Sequence, residues 1–263
     1  GVFGNYNSTG GQNFGANLFN NQQVKYSSTD NKWTYENTKY WPTEGHIDFL
    51  AYAPYVETPN FQGSSIDFTV ENNVAAQKDL LWANAKDQTK QTISSTDNKV
   101  KFHFAHALSR LGYSVKLKDA YSDATITLKK ITLAGSANEA TKAFYSEGTI
   151  DLSKEDKAAK LWTPSTTADK QNFTWFSGNQ KLTDKVANNT EYLFVIPQDF
   201  SQKTSGADEL YVIVEYTVEL PLQTGTTGPM TTSVSRKLEK NFEQGKAYTI
   251  NLNIGLTPIE FNA

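Results

Sequence analysis

The stretch DELYVIVEYTVELPL (Asp208–Leu222) shows the strongest apolar–polar alternation in the chain. Successive side chains of a β-strand point to opposite faces, so this pattern predicts a strand with one buried and one wet side. The predicted buried face carries Leu210, Val212, Val214, Tyr216, Val218 and Leu220, and the wet face carries Glu215, Thr217 and Glu219.

The same period recurs elsewhere in the chain. In KAYTINLNIGL (246–256), the residues expected to face inward are Tyr248, Ile250, Leu252, Ile254 and Leu256. Shorter alternations occupy KVKFHF (99–104) and YSVKLK (113–118). In ATITLKKITL (124–133) the apolar phase slips between Leu128 and Ile131, which predicts a β-bulge or a kink. Many short strands at regular spacing predict a mainly β fold, a sandwich or a pair of sandwiches.

The stretch TKYWPTEGHIDFLAYAPYV (38–56) predicts a strand that is apolar on both faces. One face carries Ile47, Phe49, Ala51 and Ala53, and the other carries Leu50 and Tyr52. Proline lacks a backbone N–H, so Pro42 and Pro54 limit the regular pairing of this strand at its two ends.

The hexapeptide SSTDNK occurs twice, at Ser27–Lys32 and at Ser94–Lys99. Asp-Asn tolerates left-handed backbone conformations, so both copies are predicted to be hairpin turns between strands. The Gly-, Thr- and Ser-rich stretch QTGTTGPMTTS (Gln223–Ser233) is predicted to be a loop that joins two strands.

Composition limits the functional classes. Of the 263 residues, 38% are hydrophobic, 13% aromatic and 20% charged, which suits a globular chain better than a disordered one. A net charge of −3 provides no basic field for nucleic acid. The absence of cysteine excludes disulfides, thiolate zinc sites and a cysteine nucleophile. The chain starts at Gly1 with no initiator Met or signal peptide, so we expect a processed or trimmed form.

No pattern of catalytic or metal-binding residues emerges. His103 and His106 would lie on opposite faces of a strand, which argues against a shared metal ion. Asp151, Glu155 and Asp156 form a carboxylate cluster that the start of a helix after Ser153 explains better than catalysis does. Neither a G-x-S-x-G motif nor a phosphate loop is present. We therefore predict no enzymatic activity and no catalytic, cofactor-binding or metal-binding residues.

Flat aromatic side chains could instead bind carbohydrate. Trp33, Trp162 and Trp175 are the candidates for a glycan platform. The alternative is that these side chains cover the core, as most tryptophans of a β-sandwich do.

The stretch from Val24 to Val56 resembles the fimbrillin-like family, the type V pilus subunits of Bacteroides-type bacteria. The matching motifs are WTY at Trp33–Tyr35, YWP at Tyr40–Pro42 and FLAYAPY at Phe49–Tyr55. Further matches follow in order along almost the whole chain: QKDLLWA (77–83), VKFHFAHALSRLGYSVKL (100–117), FVIPQ (194–198), VEYTV (214–218) and GKAYTINLNIGLTPIEF (245–261).

The resemblance implies two tandem β-sandwich domains of transthyretin-like Greek-key type. We place them at residues 1–107, with the first strand missing, and at residues 108–263, with the junction at the His106–Ser109 turn. It also implies export of a precursor as a lipoprotein and a location in the fimbrium at the outer membrane. The lipobox cysteine and the early strand of the family are not in this sequence.

The function implied by the resemblance is that of a structural fimbrial subunit or tip adhesin, assembled by β-strand exchange. Its partners would be other pilus subunits and a host protein or glycan, with no nucleic acid and no membrane contact except the lipid anchor of the precursor. The candidate strand-exchange residues are those of the C-terminal strand, Tyr248, Ile250, Leu252, Ile254 and Leu256. The alternative is a surface lipoprotein that binds carbohydrate through exposed aromatic residues.

Overall fold

The computed structural model describes residues 1–9, 13–155, 161–220 and 228–256. Nearly all of its regular structure is β-strand, which confirms the predicted mainly β fold. The helical elements described are one turn of 3-10 helix (Val74–Ala76) and α1 (Lys90–Ser94). The strands are β1 (Val2–Asn7), β2 (Phe19–Gln22), β3 (Lys25–Ser27), β4 (Lys32–Thr34), β5 (His46–Ala53), β6 (Phe61–Gln62), β7 (Ser65–Thr69), β8 (Leu81–Gln88), β9 (Ala105–His106), β10 (Ser109–Leu117), β11 (Thr125–Ala134), β12 (Glu147–Asp151), β13 (Trp162–Pro164), β14 (Phe173–Lys181), β15 (Ala187–Asn188), β16 (Leu193–Val195), β17 (Gln198–Asp199), β18 (Tyr211–Glu219), β19 (Met230–Lys237), β20 (Asn241–Phe242) and β21 (Ala247–Ile254).

The chain forms two compact units, each made of several segments. The first contains Gly1–Thr69, Lys78–Leu108 and Glu147–Thr166. The second contains Val70–Gln77, Ser109–Ser146 and the described residues from Thr167 onward. The predicted tandem domains, residues 1–107 and 108–263, and their transthyretin-like Greek-key topology stay predictions.

In the first unit, β5 lies at the centre of a five-stranded sheet of order β2-β1-β5-β8-β9. It pairs antiparallel with β1 on one side and with β8 on the other. Side chains on both of its faces are buried, among them Phe49 and Leu50. This confirms the prediction of a strand that is apolar on both faces.

A second sheet of the first unit has the order β13-β12-β7-β6. Its central pair joins β7 to β12, which comes from a distant part of the sequence, and Ile66 lies opposite Ile150. Both isoleucines are buried. The segment Glu147–Thr166 is therefore built into the core of this unit.

The two copies of SSTDNK adopt different structures. The first is the predicted hairpin turn, because β3 pairs with β4 and Asn31 has a positive φ of 50°. The second prediction is wrong, because α1 ends on Ser94, the first residue of this copy, and residues 100–104 lie outside every strand. Thr89 and Thr92 form a reciprocal capping box that starts α1, which explains why KQTI is helical here.

In the second unit, one sheet has the order β14-β11-β18-β19. β18 buries Val212, Val214, Tyr216 and Val218, and Leu210, just before the strand, is buried as well, as predicted. Leu220 does not follow the pattern: the strand ends at Glu219, and Leu220 is exposed. The predicted bulge in β11 is confirmed, since the register with β18 shifts between Leu128 and Lys130.

One part of this sheet differs from the predictions. Residues 230–233 were expected to form a loop, but they begin β19, which pairs with β18 along its whole length. Thr and Ser side chains fit a pleated strand surface as well as a loop, so composition alone misassigned this segment. In the first unit, most of the helix predicted for LSKEDKAAKLW (152–162) falls on residues 156–160, which lie outside the described residues, and Trp162 at its predicted end begins β13.

The second unit also contains a sheet around β10, with β15 and β16 on one side and β21 on the other. A short pair of β17 and β20 lies outside these sheets. The helices within the described ranges are all too short or too polar to cross a lipid bilayer.

Candidate functional site

Strand β21 carries most of the residues proposed for strand exchange. It runs parallel to β10 in an unbroken register from Arg110 opposite Ala247 to Leu117 opposite Ile254. Paired residues of neighbouring strands lie on the same face, so Tyr248, Ile250 and Leu252 continue the apolar face of β10. Leu256 lies beyond the end of the strand, where its N–H donates to the Tyr121 hydroxyl at 2.8 Å.

Burial falls sharply from β10 to β21. Leu111, Tyr113 and Val115 of β10 are buried, whereas their partners Tyr248, Ile250 and Leu252 are only half-buried. Ile254, at the end of β21, is the buried member of the set. The core layer therefore thins at β21 and leaves an apolar face partly uncovered.

The outer edge of β21 is open. The carbonyls of Lys246 and Ile254 accept hydrogen bonds from the N–H groups of Arg110 and Lys118, so the even-numbered residues direct their backbone toward β10. The odd-numbered residues, such as Thr249 and Asn251, direct theirs the opposite way. Among the described residues no strand pairs with that edge.

Side-chain contacts hold β21 in place at its start and at its centre. The Tyr248 hydroxyl accepts a hydrogen bond from the Glu243 N–H at 3.0 Å, and its ring packs edge-on against Phe242 at 5.1 Å. The Ser114 hydroxyl donates to the Asn251 side-chain oxygen at 2.7 Å. The strand is thus fixed to its own unit while its outer edge and one face remain accessible.

The three tryptophans proposed as a glycan platform have different environments. Trp33 is 69% exposed, on the β3–β4 hairpin, and packs edge-on against Tyr26 at 5.5 Å. Trp162 is half-buried, and its indole N–H donates to the Ala107 carbonyl at 2.7 Å. Trp175 is only 6% exposed, and a buried ring offers no face on which a sugar could stack.

The first unit contains a cleft that the sequence did not indicate. It has a volume of about 340 Å³ and is lined by Tyr6, Asn17, Leu18, Tyr40 and Pro42. Tyr40 is 86% exposed, the most exposed large apolar side chain among the described residues. The YWP motif was interpreted as the approach to a strand, and nothing in its spacing placed Tyr40 beside Tyr6.

The polar clusters found in the sequence make structural contacts. The His106 imidazole contacts the Asp79 carboxylate. Across the described ranges there is no group of three or more potential metal ligands. Burial raises the pKa of Asp151, but hydrogen bonds from Ser153 and Ser64 outweigh it, and the pKa of this carboxyl lies below its ordinary value.

Comparison with known proteins identifies the family. A family model described as Fimbrillin-like matches residues 1–263. The chain belongs to the fimbrillin-like family. This fimbrillin-like protein is thereby placed among the fimbrial proteins of the cell surface, as the sequence resemblance indicated.

Solved structures agree with the fold of this fimbrillin-like protein. A fimbrial protein from Bacteroides vulgatus is similar with a TM-score of 0.66 at 22% identity, over 97% of this chain and 89% of that one. A proposed cell adhesion protein from Bacteroides uniformis is similar with a TM-score of 0.55 at 18% identity, over 96% and 85% of the two chains. No curated protein sequence matches this fimbrillin-like protein.

Proposed function

We propose that this protein is a structural, non-enzymatic fimbrial subunit or tip adhesin that joins other pilus subunits by β-strand exchange. Strand β21 is the element at which exchange takes place, with Tyr248, Ile250, Leu252, Ile254 and Leu256 forming the apolar side of the contact. The precursor is exported as a lipoprotein, and the protein works in the fimbrium at the outer membrane.

The observation that carries this proposal is the open edge of β21 combined with its half-buried apolar face. A strand from a neighbouring subunit could bond to the outward backbone groups of Thr249 and Asn251. Its side chains would then cover Ile250 and Leu252. Backbone hydrogen bonds give such a contact its affinity, and the alternate side chains give it its register.

A proline at position 251 tests the proposal. Asn251 directs its N–H away from β10, so Asn251→Pro removes an outward donor and leaves the ladder to β10 intact. We expect the variant to fold but to lose oligomers in a mixture of the full-length precursor and the proteolytically processed subunit. Native mass spectrometry and size-exclusion chromatography would measure those oligomers.

Asn251→Ala is the matched control. It keeps the backbone N–H and removes only the side chain that contacts Ser114. Normal assembly of the alanine variant alongside failure of the proline variant would support pairing through the β21 edge. Equal assembly of both variants and the unmodified protein would contradict it.

Carbohydrate binding by a surface lipoprotein is a second candidate function, favoured by the exposed aromatic side chains of the first unit. The exposed Trp33 ring and the cleft beside Tyr40 offer apolar faces on which sugar rings could stack. The test is thermal unfolding in the presence of a panel of soluble glycans, because a ligand that binds only the folded protein raises its melting temperature.

Variants would identify the surface responsible for carbohydrate binding. We expect Tyr40→Ala and Trp33→Ala to abolish any glycan-induced rise in melting temperature. Exposed Tyr192 lies in the second unit, so Tyr192→Ala should retain the effect. A panel that stabilises none of the proteins, or stabilises all of them equally, would overturn this candidate.

A further inference from the structure

Strand β19 forms a second open edge, in the sheet of order β14-β11-β18-β19. Within the described residues it pairs with β18 alone, in a continuous register from Lys237 opposite Tyr211 to Met230 opposite Val218. Natural edge strands usually carry bulges, prolines or charges that prevent further pairing. Residues 230–235 of β19 contain neither charge nor proline, and the strand has no bulge.

The opposite edge of the same sheet is protected. The pairing of β14 with β11 is irregular at two places, between Leu128 and Lys130 and between Ile131 and Thr132. A glycine, Gly178, lies inside the strand, and Asn179 contacts Lys129. These irregularities bend an edge and disrupt its ladder, so β14 offers a poor template for a further strand.

The backbone of β19 presents alternate residues to the open edge. The Leu238 N–H donates to the Leu210 carbonyl at 2.8 Å, so even-numbered residues direct their backbone toward β18. Ser233 and Ser235 direct theirs outward. On the core-facing side, Val234 is half-buried and Met230 is 54% exposed, although the β18 residues opposite them are buried. The edge therefore combines free hydrogen-bonding groups with a poorly covered apolar rim.

We propose that two copies of this protein pair side by side through β19, antiparallel and about a two-fold axis at Val234. This association goes beyond the head-to-tail contact at β21, because a symmetric contact closes on itself as a pair instead of extending a chain. It joins two four-stranded sheets into one continuous sheet.

The sequence of β19 is complementary to itself in this register. On the core-facing side, Val234 lies opposite its own copy and Met230 lies opposite Leu238, which brings apolar residues together. Ser233 pairs with Ser235, so their outward backbone groups bond to each other. Arg236 lies opposite Thr232 and Lys237 opposite Thr231, so the basic residues never face one another. This complementarity selects a second copy of the chain as the occupant of the edge.

Cysteine cross-linking tests the register, and the chain has no native cysteine to interfere. Val234 and its copy form a non-hydrogen-bonded pair with Cα atoms about 4.5 Å apart, a separation that a disulfide spans. Under dissolved oxygen with a copper–phenanthroline catalyst, Val234→Cys should form covalent dimers. Ser233→Cys should not, because position 233 faces Ser235 of the copy. Cross-linking at position 233 alone would overturn the register, and equal or absent cross-linking at both positions would overturn the pairing.

A charge variant tests the association without cross-linking. The double variant Ser233→Lys with Ser235→Lys places like charges opposite each other across the proposed contact. Within its own chain, the new lysine at position 233 lies opposite Glu215, which has the opposite charge. A single strand pair is a small interface, so we expect weak dimers of the unmodified protein, seen by sedimentation as a concentration-dependent rise in mass. The double variant should lose this rise.

The matched control places the same two charges on the other edge strand. Thr174→Lys combined with Ser177→Lys on β14 should keep the rise in mass, since both residues are exposed. Loss of the rise in both double variants, or in neither, would overturn the proposal. Subunit oligomers that depend on β21 should persist in the β19 variant, so the two contacts can be tested separately.

Discussion

Asp151 shows how one carboxylate stabilises the first unit. Its Oδ1 atom accepts hydrogen bonds from the hydroxyls of Ser64 and Ser153, each at 2.7 Å, and from the Ser153 N–H at 3.0 Å. Ser64 precedes β7 and Asp151 is the last residue of β12. The ionised carboxylate therefore connects the adjoining ends of the two central strands of the sheet. Asp151, one member of the carboxylate cluster found in the sequence, is thus a structural joint.

This contact predicts a loss of stability in acid. Because folding lowers the pKa of Asp151 below its ordinary 3.8, the stabilisation is complete above that value and is lost as the pH falls through the lowered pKa. We expect Asp151→Asn to lower the free energy of unfolding by about 1 kcal/mol at pH 7. Urea unfolding at pH 7 and at a series of pH values that falls through the lowered pKa should show the two proteins converging in acid. A constant difference across this range would contradict the prediction, and exposed Asp123→Asn is the control.

Gly135 marks a place where the backbone leaves no room for a side chain. A Cβ atom there would lie 2.8 Å from the Lys142 carbonyl oxygen and 3.0 Å from that of Thr141. Gly135→Ala should therefore destabilise the protein by about 1–3 kcal/mol, measured as a lower urea midpoint. Gly228→Ala is the control, since no atom lies within 4 Å of the added carbon. Equal midpoints for the two variants would show that the backbone at Lys142 moves aside.

At the scale of the element, the bulge in β11 keeps its apolar residues on one face. Leu128 lies opposite Tyr216 and Lys130 lies opposite Glu215, so Lys129 is the extra residue. Ile126 and Leu128 precede the bulge, Ile131 and Leu133 follow it, and all four are buried. The odd spacing in the sequence is thereby reconciled with a continuous core.

Deletions in β11 test this role. Removing Lys129 leaves both apolar pairs on the same face, whereas removing Thr127 turns Ile126 outward. We expect the Thr127 deletion to cost about 2 kcal/mol more than the Lys129 deletion, because it exposes one isoleucine side chain. Thermal and urea unfolding of the two variants would measure the difference. If the Lys129 deletion lowers stability as much as the Thr127 deletion does, the bulge is needed for the pairing with β14 or for the loop that follows β14.

The strands that the sequence predicted correctly are those in which the pattern of apolar residues matches the pattern of buried positions. β5 and β18 carry apolar residues at every position that their sheets bury, so their patterns could be read locally. Phe102 and Phe104 follow the same alternation without forming a strand. The Phe102 ring instead packs edge-on against Phe49, and it also contacts the ring of Phe104. Periodicity indicates which side chains face inward, and it does not specify a hydrogen-bonding partner.

Most of what the sequence did not predict at the candidate site depends on which strand pairs with which. Alternation in residues 246–256 predicted β21, but neither its parallel pairing with β10 nor its half-buried face could be derived from one strand. The edge at β19 was missed because its Thr and Ser residues were assigned to a loop. The cleft beside Tyr40 depends on contacts between residues far apart in sequence, and exposure of a single aromatic residue leaves no periodic signal.

At the scale of the whole molecule, the first unit needs a segment from the second half of the sequence. β12 supplies the partner of β7, and the Trp162 indole N–H donates to the Ala107 carbonyl. A fragment of residues 1–107 would lack both contacts. The predicted domain boundary therefore implies that this fragment folds alone, whereas the contacts of the unit imply that it does not.

We expect the fragment 1–107 to unfold at low urea concentration and without a sharp transition. A synthetic peptide of residues 145–166 should bind it and restore a cooperative transition, since Ile150 would again pack against Ile66. Circular dichroism and fluorescence would follow both steps. The same peptide with Ile150→Asp is the control and should have no effect. Cooperative unfolding of the fragment alone would support the boundary at residue 107.

The parallel pairing of β10 and β21 determines how this region responds to tension. When the chain is pulled at Gly255 along the strand axis, against a grip at the start of β10, the two strands slide past each other lengthwise. The ladder from Arg110–Ala247 to Leu117–Ile254 then carries the load in shear, so its hydrogen bonds break together and not one after another. The mechanical strength of this connection therefore increases with the length over which the two strands overlap.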